Sequence, residues 1–222
     1  MLSLIYRLSI ENKKVSSNPA RLLKHRKEAD EHVRFLNQRD PNEEARLRGV
    51  IAAKFPDHMP GLDIAGNTGM RRSEQYHRID WSCVDLLRRD LFVPQSKNAK
   101  SRHIPLNGAA AATFWELHRR TKGTGPIFPS RNHGKSLRGP RHWFEDATGD
   151  ANLTGFTWHD LRHPFASRLV MTGTDLRTVA DLLGHSSIQM TMRYAHLAPE
   201  YKQVAVDRLK AYTEGRNSDI VE

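Results

Sequence analysis

A change in sequence period at residues 83–106 constrains the fold more than any other feature of the chain. The flanking segments carry apolar residues at helical spacing, whereas this stretch contains the β-forming residues Val84, Phe92 and Val93. Its run LFVPQSKNAKSRHIPL predicts two short strands around a polar turn at residues 96–100. We therefore expect a mainly α protein with one small antiparallel β-sheet, which is an α+β fold.

Helices are predicted on both sides of this sheet. Residues 41–55 form the first, with Pro41 near its start and acidic residues in its first turn, where the helix dipole favours them. Residues 61–80 are predicted to be helical with a break at Gly69, and residues 107–120 form a helix beyond the sheet.

The chain is predicted to be helical again from residue 156 onward. Thr174 is expected to cap a helix that ends at Gly184, and Ser186 is expected to cap the next one. The last helix is expected to begin near Pro199 and to carry an apolar stripe.

A polar segment, residues 16–32, separates a short N-terminal region from the rest of the chain. It begins with a turn that contains Pro19 and then becomes strongly charged, as linkers do. We therefore divide the chain into residues 1–35 and residues 36–222.

Positive charge is concentrated in one part of the sequence. The chain has 35 Lys and Arg against 25 Asp and Glu, a net charge of +10. Residues 71–142 alone hold 15 Lys and Arg and 5 Asp and Glu, so about a third of the chain carries the whole excess. This concentration indicates a basic face that neutralises phosphates by counterion release, and it favours a nucleic acid as the partner.

Several protein classes are excluded by composition. The lone Cys83 rules out an internal disulfide and a cysteine-cluster metal site. No apolar run reaches the roughly 18 residues that cross a bilayer, and the first ten residues are too short for a signal peptide. We expect a soluble, cytoplasmic protein with no membrane partner.

Candidate reactive residues gather between His159 and Tyr194. Each of them also has a structural explanation. A tyrosine near a helix end often packs its ring, and a histidine that follows a glycine cap, as His185 does, often bonds the last carbonyls of its helix.

Four motifs, taken in order, make the sequence resemble the tyrosine site-specific recombinases (phage integrases). They are TGMRRSE at 68–74, SKNAKSRHIPL at 96–106, HDLRHPFAS at 159–167 and LLGHSSIQMTMRYAH at 182–196. The resemblance covers about residues 36–212. It implies the recombinase catalytic-domain fold for residues 36–222, and a remnant of the N-terminal core-binding domain with its linker in residues 1–35.

The resemblance also implies a role for each matching residue. Tyr194 would attack the scissile phosphate to form a 3′-phosphotyrosyl link, and His159 would assist proton transfer at this tyrosine. Arg71 and Arg162 would clamp the phosphate, and His185 would bond one of its oxygens. Lys97 would protonate the leaving 5′ oxygen. The expected DNA contacts are Arg72, Lys100, Arg102, Arg138 and Arg141. Glu74 is expected to orient an arginine or to cap the turn.

This division of labour agrees with the chemistry. Planar guanidinium groups match the non-bridging oxygens of a phosphodiester and remain charged at neutral pH, so the site needs no metal and no other cofactor. A phenol with a pKa of about 10 is a weak nucleophile at neutral pH and needs a base or nearby positive charge. A covalent intermediate conserves the bond energy, so rejoining needs no ATP.

The resemblance also implies double-stranded DNA as the partner and a homotetramer on paired sites. Pro164 departs from the Thr or Ser usual in the family, which disturbs the site only if the helix begins well before Asp160. Two alternatives remain open: an impaired or truncated integrase that only binds DNA, and a zinc enzyme that uses the i, i+4 pair His159 and His163.

Overall fold

The structure is a computed structural model that describes residues 2–19, 36–37, 40–95, 101–129 and 142–198. The chain divides into two compact units, residues 1–32 and residues 33–222. In the first unit, helix α1 (Leu2–Glu11) leaves Ile5 and Leu8 exposed.

The second unit is mainly helical. Its helices are α2 (Glu43–Lys54), α3 (Met59–Thr68), α4 (Arg72–His77), α5 (Gly108–Thr121), α6 (His142–Asp150), α7 (Arg162–Met171), α8 (Leu176–Leu183) and α9 (Gln189–Met192). Short 3-10 turns lie at Pro56–His58, Trp81–Cys83, Trp158–Leu161 and Ala195–Leu197. No helix in the described part of the chain is long and apolar enough to span a bilayer.

The predicted antiparallel sheet is confirmed. It has three strands in the order β1 (Val84–Asp85), β2 (Asp90–Val93) and β3 (Arg102–Pro105). Leu91 pairs with Ile104, and both side chains are buried, so one face of the hairpin packs on the core. The two-residue strand β1 was not predicted, because a segment of two residues is too short to show an alternation of apolar and polar side chains.

Two apolar clusters hold the second unit together. The larger one is built where α3 packs on α5 and α2 packs on α6, and it includes the fully buried Leu47, Ile51 and Phe114. The smaller one lies between α7 and α8 and contains Val170, Leu183 and the ring of Tyr194. The candidate nucleophile is therefore part of a packed cluster as well as of the site described below.

Predicted helix ends are partly confirmed. Gly69 ends α3 with φ +60° and Gly184 ends α8 with φ +65°, both in the left-handed region that glycine tolerates. The cap of α8 is Asp175 rather than Thr174, because its carboxylate accepts from the Thr178 backbone N–H.

The helix predicted from Ser186 is wrong in its start and its length. Helix α9 begins at Gln189 after Ile188 and lasts a single turn, and the Ser186 hydroxyl contacts the Met190 sulfur instead. The last helix predicted from Pro199 lies outside the described residues.

Pro164 is accommodated in the first turn of α7. It is the third residue of that helix, which follows the 3-10 turn Trp158–Leu161. Backbone N–H groups in a first turn have no partner within their helix, so the missing proline N–H costs little there.

Candidate active site

Three segments of the second unit meet around Arg162. They are the turn from Gly69 into α4, the first turn of α7, and the stretch from the end of α8 to Tyr194. Arg162 joins the first and third, because its Nη1 donates to the Gly69 carbonyl at 2.7 Å and its Nη2 donates to the Leu183 carbonyl.

Arg162 is almost completely buried, with 4% of its surface exposed. Burial, followed by the charges of Arg71 and Arg102, lowers its pKa to about 9, so the guanidinium remains protonated at pH 7. The two carbonyls fix its orientation while some of its five N–H groups stay available for a phosphate.

Glu74 fixes the turn that carries Arg71. One carboxylate oxygen accepts from the Arg71 backbone N–H at 2.8 Å, and the other accepts from Arg71 Nη1 at 2.9 Å. The side chain therefore both caps α4 and orients an arginine, which are the two roles expected for it.

A second arginine also binds Glu74. Arg102 Nη1 and Nη2 donate to the two carboxylate oxygens at 3.1 and 2.8 Å. Burial alone would raise the pKa of Glu74, but the hydrogen bonds and charge of Arg102, helped by Arg71, lower it to about 2.

Arg102, which the sequence predicts as a DNA contact, is buried in a network of hydrogen bonds. Its side chain is only 6% exposed, and its Nε donates to the Leu182 carbonyl at 2.7 Å while both other nitrogens bind Glu74. The structure makes Arg102 a buried link between β3, α4 and the end of α8.

His185 lies directly after α8 and is neutral at pH 7. Its Nδ1 is 2.8 Å from the Thr191 hydroxyl. Burial, followed by the charge of Arg162 and of other arginines, lowers its pKa to about 3. If Thr191 donates to Nδ1, the proton sits on Nε2, where it can be donated to a phosphate oxygen.

His159 is exposed at the start of the same 3-10 turn that leads into α7. Partial desolvation of its ring, followed by the charge of Arg162, lowers its pKa. Its ring centroid is 6.0 Å from that of His163.

Tyr194 lies beside α7 with 2% of its surface exposed. Its hydroxyl is 2.6 Å from Nδ1 of His163. Burial raises the pKa of Tyr194 to about 12, although the charges of Arg162 and Arg193 oppose this rise. The hydroxyl is thus protonated at rest and lies in the electrostatic field of the arginine cluster.

Some predicted residues fall elsewhere. Arg72 is exposed in the first turn of α4. Lys97, Lys100, Arg138 and Arg141 lie outside the described residues. Within the described ranges, no three His, Cys, Asp or Glu side chains are grouped so that they could hold a metal ion.

Sequence reasoning missed the contacts of His163 and Thr191. His163 was considered only as a partner of His159 in a zinc site. Its i, i+4 spacing from His159 was a usable signal, because residues at that spacing share one face of a helix. Nothing in the sequence pointed to Thr191, whose role depends on the way the chain folds back after α8.

Comparison with known proteins identifies the fold and the family. The model of the phage integrase family matches residues 26–201. A tyrosine recombinase XerC of Pediococcus pentosaceus is 30% identical over 211 residues, covering 89% of this chain and 69% of that protein.

Solved structures show the same fold. The Tn1549 transposon integrase in complex with transposon right end DNA superposes with a TM-score of 0.71 at 21% identity, covering 94% of this chain and 76% of that one. The catalytic domain of bacteriophage HP1 integrase superposes with a TM-score of 0.58 at 28% identity, covering 79% of this chain and 94% of that one. With a family match over most of its length and this shared fold, the chain belongs to the phage integrase family.

Proposed function

We propose that this chain is a site-specific tyrosine recombinase that cleaves and rejoins double-stranded DNA through a 3′-phosphotyrosyl link at Tyr194. The observation that carries the proposal is that the Tyr194 hydroxyl, 2.6 Å from His163 Nδ1, lies within the electrostatic influence of the buried, oriented guanidinium of Arg162, which the charge of Arg71 also affects. Family membership supports the same activity.

The residues divide the work as follows. Arg71 and Arg162 bind the non-bridging oxygens and stabilise the charge that builds up in the transition state, and His185 donates to one of those oxygens. The Tyr194 oxygen attacks phosphorus, and the 5′ oxygen leaves with a proton from Lys97. We keep His159 as a residue that assists proton transfer at the tyrosine.

DNA binding is assigned to the basic third of the chain. Arg72, Lys100, Arg138 and Arg141 are proposed phosphate contacts, supported by the charge excess of residues 71–142. We further propose a homotetramer on paired DNA sites, action on DNA in the cytoplasm, and a core-binding role for residues 1–35.

The alternative, an integrase fragment that binds DNA without reacting, is not favoured. A chain that had lost its chemistry would have no reason to keep the tyrosine, the paired arginines and the histidines, and here Tyr194, Arg162 and His185 lie in one cluster.

Formation of a covalent protein–DNA complex tests the proposal. A pool of nicked duplexes with randomised sequence is incubated with the protein in EDTA, denatured in detergent, and sequenced from the protein-linked fraction. We expect a linked fraction with a shared site from the wild type and none from Tyr194→Phe. Free DNA from both proteins would contradict the proposal.

A further inference from the structure

A chain of three side chains connects Tyr194 to Asp160 through His163. Tyr194 Oη lies 2.6 Å from His163 Nδ1, and His163 Nε2 lies 3.9 Å from Asp160 Oδ1. The His163 side chain is 15% exposed and the Asp160 side chain 24%, so bulk water has limited access to the chain.

Asp160 is fixed in place by its own turn. Its Oδ2 accepts from the backbone N–H and the hydroxyl of Thr157, at 2.7 and 2.8 Å. These bonds leave Oδ1 facing the His163 ring. The separation of 3.9 Å is longer than a hydrogen bond, yet the negative charge still favours a proton on the near nitrogen, Nε2.

This tautomer decides the direction of the short bond. With the proton on Nε2, the Nδ1 lone pair is an acceptor, and the tyrosine hydroxyl donates to it. A nucleophile, an acceptor for its proton and a carboxylate that orients the acceptor then stand in line, which is the arrangement that activates hydroxyl nucleophiles in other enzymes.

We propose that His163 holds the Tyr194 hydroxyl in place and accepts its proton as the oxygen attacks the DNA phosphate. The proposal rests on the function proposed above and gives His163 the step at the nucleophile. His159 keeps an assisting role in that transfer, and in the described residues its ring forms no hydrogen bond with Tyr194.

The step balances without a further reactant. The Tyr194 O–H bond breaks and its proton moves to His163 Nδ1, while an oxygen electron pair forms the bond to phosphorus. The bond from phosphorus to the 5′ oxygen breaks, and that oxygen takes a proton from Lys97. His163 ends as an imidazolium and Lys97 as an amine, and rejoining reverses both transfers.

The charges around His163 determine when the transfer occurs. Burial lowers the pKa of His163 to about 4; Asp160 opposes this, while His159, Arg193 and Arg162 add to it. The ring is therefore a neutral acceptor at pH 7 and does not deprotonate the tyrosine at rest. A bound phosphodiester offsets the charge of Arg162 and raises the pKa of His163, so proton transfer accompanies the attack.

Two substitutions separate proton transfer from simple hydrogen bonding. In His163→Asn an amide group lies near the position of Nδ1 and can bond the hydroxyl but cannot take up a proton, whereas His163→Ala removes both functions. Single-turnover formation of the covalent complex is followed from pH 6 to 9. His77→Asn, a change at an exposed histidine at the end of α4, is the control.

We expect both variants to lose about 100-fold or more in cleavage rate at pH 7 with wild-type DNA affinity, and His163→Asn, which keeps the hydrogen bond, to retain the wild-type melting temperature. Their rates should rise tenfold per pH unit toward the tyrosine pKa, while the wild type and His77→Asn change less. Wild-type rates in His163→Ala, or near-wild-type rates in His163→Asn, would overturn proton acceptance by His163 without affecting the proposed recombinase function.

A substrate with a sulfur leaving group shows which of the two proton transfers is impaired in His163→Asn. A duplex with a 5′-bridging phosphorothiolate needs no acid at the leaving group, so the His163→Asn defect should persist on it. Rescue to the wild-type rate would place His163 on the leaving-group side and overturn the proposal.

A measurement without DNA separates this inference from the function it rests on. In ¹⁵N spectra of the full chain we expect His163 to carry its proton on Nε2, and its Nδ1 signal to shift in Tyr194→Phe. A proton on Nδ1, or no shift, would overturn the inference even if the covalent complex forms.

Discussion

Two buried arginines donate to the same helix end. Arg102 binds the Leu182 carbonyl and Arg162 binds the Leu183 carbonyl, which satisfies C-terminal groups of α8 that lack partners within the helix. Both residues are basic and belong to recombinase-like motifs, so the sequence alone assigned both to DNA. Their partners distinguish them, because Arg102 binds the Glu74 carboxylate and Arg162 binds backbone carbonyls, and these contacts depend on packing between distant segments that no local pattern encodes.

Glu74 is expected to make stability depend on pH. Its pKa is lowered from 4.5 in the unfolded chain to about 2 in the folded one, so its contribution is present above pH 4.5 and is lost as the pH falls toward 2. This shift corresponds to about 3 kcal/mol of unfolding free energy. Denaturant unfolding at pH 7 and pH 3 should show a steeper loss in the wild type than in Glu74→Gln.

The same substitution should lower stability at pH 7. It leaves the buried Arg102 guanidinium without a counter-charge, which costs about 3–5 kcal/mol. A Glu116→Gln control, which removes an exposed i, i+4 pair with Arg120, should change stability by less than about 0.5 kcal/mol. Equal effects of the two changes would contradict the central role of Glu74.

Arg71→Ala should separate catalysis from binding. The side chain is 23% exposed and pairs with Glu74, which keeps Arg102 as a partner when Arg71 is lost. We expect the cleavage rate to fall about 100-fold or more, because one guanidinium that donates hydrogen bonds to the phosphate oxygens is lost, while DNA affinity falls less than tenfold. Rapid-quench kinetics and DNA titration measure the two effects. A near-wild-type cleavage rate would show that Arg71 is not one of the arginines that bind the scissile phosphate.

Among the elements, those set by local patterns were predicted well. The hairpin β2–β3, the helix α5 and the glycine ends of α3 and α8 follow from alternation, apolar spacing and the left-handed preference of glycine. Helix starts and lengths were predicted wrongly where several local hydrogen bonds compete. Asp175 displaced Thr174 as a cap, and the chain after Ser186 folds as short turns that end with Tyr194 packed against α7 and α8.

The turn after α3 should be intolerant of a side chain at Gly69. A Cβ there would lie 2.4 Å from Phe165 Cδ1, and φ is +60°. The Gly69 carbonyl also orients Arg162. We expect Gly69→Ala to lose about 1–3 kcal/mol of unfolding free energy and to slow cleavage.

Gly66→Ala is the matched control for that change. Gly66 lies within α3, and a Cβ added there meets nothing within 4 Å. We expect unchanged cleavage and a stability equal to the wild type or higher by up to about 1 kcal/mol. Thermal unfolding and single-turnover cleavage compare the two variants, and equal behaviour would show that the left-handed turn does not position Arg162.

For the chain as a whole, the uneven charge distribution predicts how affinity for DNA depends on salt. Each phosphate contact that is lost should reduce the slope of log K against log salt by about 0.9. Arg138→Gln with Arg141→Gln should therefore reduce the slope by nearly two and weaken binding to all sequences alike.

Arg168→Gln is the control, because Arg168 lies outside the basic third of the chain and pairs with Glu44. It should leave the salt slope unchanged. Equilibrium titrations at several salt concentrations measure the slopes. An unchanged slope in the double variant would mean that the charge excess of residues 71–142 does not act through these two arginines, and the phosphate contacts would have to be assigned to other cations of that segment.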